Sequence, residues 1–147
     1  MIATRPSKPR GSGSSVVWSD LDVVRAGFAA YNAGDVDGLL AVCDPEVELV
    51  PLSSLLTGEP YRGHQGVRDY LDAITEDWSQ RAVELDRLIE AGDEVVLRGR
   101  FQARGRSSGV DLDAPAAWVV TLRDGRVVRL RAYTDPQDAL EAVGLRG

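Results

Sequence analysis

The sequence predicts an α+β domain in which helices gather on one face of a curved antiparallel sheet. Three observations carry that expectation. The stretch from Glu94 to Tyr133 alternates apolar runs rich in Val, Leu, Trp and Phe with turn residues, as consecutive antiparallel strands do. Upstream, apolar residues recur at helical spacing in two places: Val23, Val24, Phe28 and Tyr31, then Val67, Tyr70, Leu71, Ile74 and Trp78. Finally, 147 residues with 44% hydrophobic content suffice for one sizeable core and are too few for two.

Residues 1–15 carry Arg5, Lys8 and Arg10, no acid, and a Pro/Gly/Ser-rich composition that cannot bury enough apolar surface to order itself. A flexible tail ahead of a single domain over residues 16–147 is the expectation. Ser19 or Asp20 can cap the first helix, which Asn32-Ala33-Gly34 ends, Gly34 suiting the left-handed position past a helix C-terminus. Asp35 is an N-cap candidate for a short second helix carrying Leu39, Leu40 and Val42, which should stop before Pro45.

Val47-Glu48-Leu49-Val50 reads as a short strand closed by Pro51. The loop over residues 51–61 holds Leu52, Leu55 and Leu56, too apolar to lie free in water, so it should fold over something. Arg62-Gly63-His64-Gln65-Gly66 reads as a turn into the third helix, and residues 82–89 as a strand that Ala91-Gly92-Asp93 turns into the ribbon. The ribbon's strands fall at 94–106, 116–123 and 126–133, the last two joined by Asp124-Gly125, a pair that tolerates the positive φ angles of a tight hairpin. Asp135-Pro136 then reads as an N-cap and first-turn proline opening a final helix with Ala139, Leu140 and Val143, ended at Gly144.

Composition narrows the function. A net charge of −6 argues against a nucleic-acid partner, which a basic stripe would serve. Cys43 is the only cysteine and sits in the run Leu39-Leu40-Ala41-Val42-Cys43, which reads as a small buried hydrophobe rather than a reactive thiol. No apolar run approaches the ~20 residues of a membrane span, and the N-terminus lacks a signal peptide's apolar core, so a soluble cytoplasmic protein with no membrane partner is expected. No His/Cys/Asp cluster has metal-ligand spacing and no glycine-rich phosphate loop precedes a helix, so neither metal nor cofactor is indicated.

Four motifs together resemble one family: Tyr31-Asn32-Ala33-Gly34-Asp35-Val36-Asp37, Asp44-Pro45-Glu46-Val47-Glu48, Tyr61-Arg62-Gly63-His64-Gln65-Gly66 and Asp124-Gly125-Arg126-Val127-Val128. They are similar to the SnoaL-like group of the nuclear-transport-factor-2-like superfamily, which also holds ketosteroid isomerase and limonene epoxide hydrolase. The resemblance runs from about Ser19 to Leu145. It implies a cone: a curved antiparallel sheet wrapped by the N-terminal helices, with an internal pocket, and commonly a homodimer through the sheet's outer face. It also implies a small, mostly apolar ligand, met either by cofactor-free acid/base chemistry (cyclisation, isomerisation or hydration) or by a non-catalytic binding or interaction module on the same fold.

Laid on ketosteroid isomerase through Gly34-Asp35, Pro51 and Asp124-Gly125, the chain places Gly27, Val50 and either Ala117 or Trp118 at that enzyme's ionisable positions. None of the four ionises, which argues against steroid isomerisation by that mechanism. The epoxide hydrolase's last-strand aspartate falls on Ala132, and Arg98 and Arg100 lack an Asp two residues on. Asp135 sits roughly where SnoaL-type cyclases keep an aspartate, and its Asp-Pro context equally explains it as a helix cap.

His64, the only histidine, is a second acid/base candidate, with a turn residue bonding nearby backbone as the alternative. Glu48 shares a strand face with Val50 and is expected to look inward or to lie on a solvated edge. Tyr31, one helical turn after Gly27, is expected either to offer its hydroxyl to the cavity or to pack in the core. Leu97, Phe101, Trp78, Val50 and Ala117 are the residues expected to line the ligand site. By the same resemblance, Arg98, Arg100, Gln102 and Arg104, with Arg129, Arg131 and Tyr133, are expected on the outer face as a dimer surface, with an anion-binding patch as the alternative.

Overall fold

Helix α1 (Asp20–Ala33) begins with a reciprocal cap: the Asp22 amide donates to the Ser19 hydroxyl and the Ser19 amide to the Asp22 carboxylate, both at 3.1 Å. It ends at Gly34, whose φ of 70° is open to glycine at little cost. Asp35 then caps α2 (Val36–Val42), so the two helices meet at a corner of two residues. The computed structural model describes residues 19–54 and 58–145; the expected tail, and Leu55 and Leu56 of the apolar loop, lie outside them.

Past α2 the chain runs through β1 (Cys43–Val50), β2 (Tyr61–Arg62), α3 (Gly63–Asp77), β3 (Trp78–Ala91), β4 (Glu94–Gly105), β5 (Asp111–Arg123), β6 (Arg126–Tyr133) and α4 (Pro136–Ala142). The six strands form one curved sheet in the order β2-β1-β6-β5-β4-β3. Every junction is antiparallel except β1 with β6, which run parallel. Asp124 and Gly125, at φ of 53° and 74°, make the β5–β6 hairpin. Several bounds differ from expectation. The segment Arg62 to Gly66 is helical from Gly63 onward, Trp78 opens β3 instead of closing α3, and β3 and β5 each start several residues early.

Alternation on β4 sets the two faces of the sheet. Val95, Leu97, Gly99, Phe101 and Ala103 are buried on the concave side, whereas Arg98, Arg100, Gln102 and Arg104 point outward. The main core, with α1, α2 and α3 packed into the concave side, includes Val23, Val24, Phe28, Val67, Leu71 and Leu97. On the convex side Arg98 pairs with Asp86, Arg100 with Asp113 and Arg104 with Asp111. There α4 buries a second, smaller cluster of Val96, Ala117, Val119 and Ala139.

The curl has a local cause. A register shift between Leu85 and Arg87 bends β3 over β4 opposite Gly99, bringing β3 backbone to the place a side chain would need.

Candidate functional site

A cavity of about 410 Å³ lies between the concave face and the helices, within the range of small-molecule sites, roughly 300–1,000 Å³. Helix α1 contributes Val24, Gly27, Phe28 and Tyr31, and α3 contributes Tyr70, Ala73, Ile74 and Asp77, each set at the 3–4 residue spacing of one helical face. Leu49, Phe101, Trp118, Val120 and Leu130 come from the sheet, and Pro51, Leu52 and Ser53 from the loop that was expected to fold over something. Of the chain's nine aromatic residues seven line this space, so it is built for contact with apolar surface. Exposed Asp77 and half-exposed Leu112 mark the open end.

A cluster of phenols gives the described wall a polar focus. The Tyr31 and Tyr70 hydroxyls lie 3.5 Å apart, their rings nearly parallel with centroids at 6.2 Å, and Tyr61 closes the group at 5.3 Å from Tyr70. Asn32 fixes the position of Tyr31: its side-chain amide pairs with the Val83 backbone in both directions, at 2.9 and 2.8 Å, tying the end of α1 to the free edge of β3. Burial pushes the Tyr31 phenol above its ordinary range, the bond from Tyr70 and the Arg81 charge opposing it. Tyr70 is pushed up further, again by burial and then by Tyr31. Both therefore stay protonated at neutral pH. Only one of the two O–H groups can be spent between them, so the other is free for an acceptor.

Of the expected site residues, Tyr31, Phe101 and Trp78 are brought to this cavity. The others are not. Glu48 and Val50 face away from it: Glu48 accepts from Arg62 at 2.7 Å and Arg129 at 3.0 Å on the convex side, while the odd-numbered Val47 and Leu49 point inward. Ala117 lies under α4 on that convex side, and its neighbour Trp118 takes the inward position. Leu97 faces inward but is fully buried in the packed core, off the cavity wall.

His64 Nε2–H donates to the Cys43 carbonyl at 3.0 Å, which clasps the start of α3 to the start of β1 and sets the ring's tautomer. Asp135 is exposed, and its carboxylate accepts from the Gln137 amide at 2.9 Å as the cap of α4. We predict that Asp135→Ala lowers unfolding free energy by about 1 kcal/mol and leaves ligand affinity unchanged, measured by urea unfolding and titration.

Tyr70, Tyr61 and Asp77 complete the site without being among the residues expected there, and Trp118 takes the place left open between it and Ala117. Tyr70 carried the clearest signal, since it sits on the same periodic face of α3 as Ile74. Among the described residues no group of three or more His, Cys, Asp or Glu side chains is placed to hold a metal, and no helix is long and apolar enough to cross a membrane.

Residues 24–130 match the SnoaL-like domain, and a protein of Mycobacterium tuberculosis is 34% identical over 121 residues, 80% of this chain and 91% of that one. The chain belongs to the SnoaL-like domain family. Solved structures agree on the fold of this SnoaL-like protein. An NTF2-like protein from Burkholderia thailandensis superposes with a TM-score of 0.72 at 25% identity, covering 82% of this chain and 93% of its own. TerC, co-crystallised with polyporic acid, superposes with a TM-score of 0.70 at 24% identity, covering 84% and 97%. Proteins put forward as polyketide cyclases share the same architecture.

Proposed function

We propose that this SnoaL-like protein binds a small, mostly apolar molecule inside the curled sheet and holds it by one oxygen, which accepts from the Tyr31 and Tyr70 hydroxyls. The observation that carries this reading is the pair of phenols set 3.5 Å apart in a mostly apolar wall. An oxygen lying between them can accept from both in place of their own long contact. That TerC was crystallised with polyporic acid is in keeping with a ligand of this size held in this fold.

A catalytic reading rests on Asp77, the one carboxylate on the described wall. With the phenols polarising a carbonyl, Asp77 would take a proton from the neighbouring carbon, the acid/base division that isomerisation or cyclisation requires. Asp77→Asn separates the two readings: the catalytic one predicts that turnover is abolished with affinity intact, and unchanged turnover sinks it.

A thermal-shift panel of hydroxy- and keto-arenes tests the binding reading. A ligand present at a hundred times its Kd adds about 2.7 kcal/mol, a rise on the order of 5–10 °C for a domain of this size. Tyr31→Phe and Tyr70→Phe should each weaken the best ligand roughly five- to tenfold, the worth of one hydrogen bond. Ligands that stabilise both variants as well as the wild type would place the binding elsewhere.

A further inference from the structure

Behind the phenol pair stands a cation that enters no ion pair among the described residues. Arg81, on β3, sets its guanidinium carbon 4.9 Å from the centre of the Tyr31 ring, and its Nη2 donates to the Tyr31 carbonyl at 3.4 Å. Its Nε is buried and finds no acceptor. The ion pairs among the described residues engage Arg62, Arg98, Arg100, Arg104 and Arg129, and none of them reaches Arg81. Arg131, over the Tyr133 ring, likewise leaves its Nε buried without an acceptor and enters none of these ion pairs; what sets Arg81 apart is its place against Tyr31, which lines the cavity. A partly desolvated guanidinium with an empty donor favours a negative group nearby.

We propose that Arg81, lying against Tyr31, acts on this site through its charge and makes the phenol pair select a weakly acidic ligand oxygen, a phenol or an enol, in its anionic form. This rests on the binding reading above and adds the ligand's charge state to it. The titratable and charged groups around the pair are Cys43 on β1, Tyr61 on β2, Tyr70 and Asp77 on α3, and Arg81 itself. Burial keeps Tyr31, Tyr70 and Cys43 protonated, so the pair cannot supply the missing negative charge. Asp77 is exposed at the open end, whereas Arg81 lies against Tyr31. The phenols donate the hydrogen bonds and Arg81 provides the field that stabilises the charge receiving them.

The test uses the full chain with two probes: 4-nitrophenol, which ionises near neutrality, and its methyl ether 4-nitroanisole, which cannot. Wild-type affinity for the nitrophenol should rise at least about tenfold as pH passes through the probe's own ionisation, while that for the ether stays flat. Arg81→Gln should cut affinity for the nitrophenolate about tenfold and leave the ether within about twofold, and Arg81→Lys should retain most of the preference. A wild type that binds the neutral phenol as well as or better than its anion overturns the proposal, and that profile decides the matter even if Arg81→Gln does not fold. Equal loss of both probes in Arg81→Gln overturns it too, reducing Arg81 to a strut. If neither probe binds and the thermal-shift panel is also silent, the binding reading falls and takes this inference with it. Binding of the ether without preference for the anion sinks the Arg81 assignment alone.

Discussion

Placing alanine at Gly99 should cost this protein roughly 3 kcal/mol, the upper part of the range for overpacking, and lower its melting temperature by about 10 °C. Gly99 pairs with Leu85 on one side and Ala116 on the other, in the concave face where β3 folds over β4. A Cβ there would overlap the Glu84 carbonyl, with its carbon at 2.9 Å and the Leu85 Cα at 3.0 Å. These are backbone atoms, held by the β3–β4 ladder, and cannot swing aside as the tip of a flexible side chain would. The strand must move or the curl must open, and either change reshapes the cavity wall at Phe101, two residues on. Urea unfolding measures the cost. The ordinary effect of Gly→Ala, a gain of about 0.4–1 kcal/mol from a stiffer unfolded chain, would show that the close approach is not what bends the sheet.

The second large effect is a loss of stability in alkali. Burial, aided by the adjacent Asp44, pushes the Cys43 thiol from its ordinary 9.0 up to about 12. In the unfolded chain this thiol ionises first, so between those two values the folded state binds more protons than the unfolded one and stability falls as pH rises. Its full contribution is present below pH 9.0 and is lost toward about 12, an upper bound on the order of 4 kcal/mol at one pKa unit per 1.36 kcal/mol. Tyr31 and Tyr70, also raised, act in the same direction at the more alkaline end. Cys43→Ala should flatten the curve of unfolding free energy against pH from about 9 upward. Curves of equal slope for wild type and variant would show that the thiol is hydrated in the folded state.

Elements governed by local chemistry were legible in the sequence. Ser19, Gly34, Asp35, Asp124-Gly125 and Asp135-Pro136 act through their own backbone neighbours, and each cap or turn stands where its residues put it. The faces of β4 were legible for a similar reason, since strict alternation of apolar residues with Arg and Gln leaves one way to bury it.

Shifts of one residue on β1 and β5 take Glu48, Val50 and Ala117 off the cavity wall. Val47 and Leu49 alternate with Glu48 and Val50, and that pattern puts the odd positions inward, whereas an alignment anchored at Pro51 puts the even ones there. Ala117 and Trp118 were left open together, and the position of α4 over the convex face, a non-local fact, is what separates them. Tyr31 and Tyr70 are 39 residues apart and meet only once α1 and α3 lie side by side. Arg81 sits in the early part of β3, where alternation is poor and which pairing with β4 alone makes a strand.

The claim beneath all of this is that the hollow under the curled strands is a place where a ligand lodges against Tyr31 and Tyr70. Titrating an isotope-labelled chain with 2-naphthol and following its resonances tests it most directly. The account predicts that the indole N–H signals of Trp78 and Trp118 and the backbone signals of Gly27 and Ala73 move together, while Leu140 and Val143 on the convex side stay where they are. Shifts confined to α4 and the convex face, or none at millimolar naphthol, would contradict it.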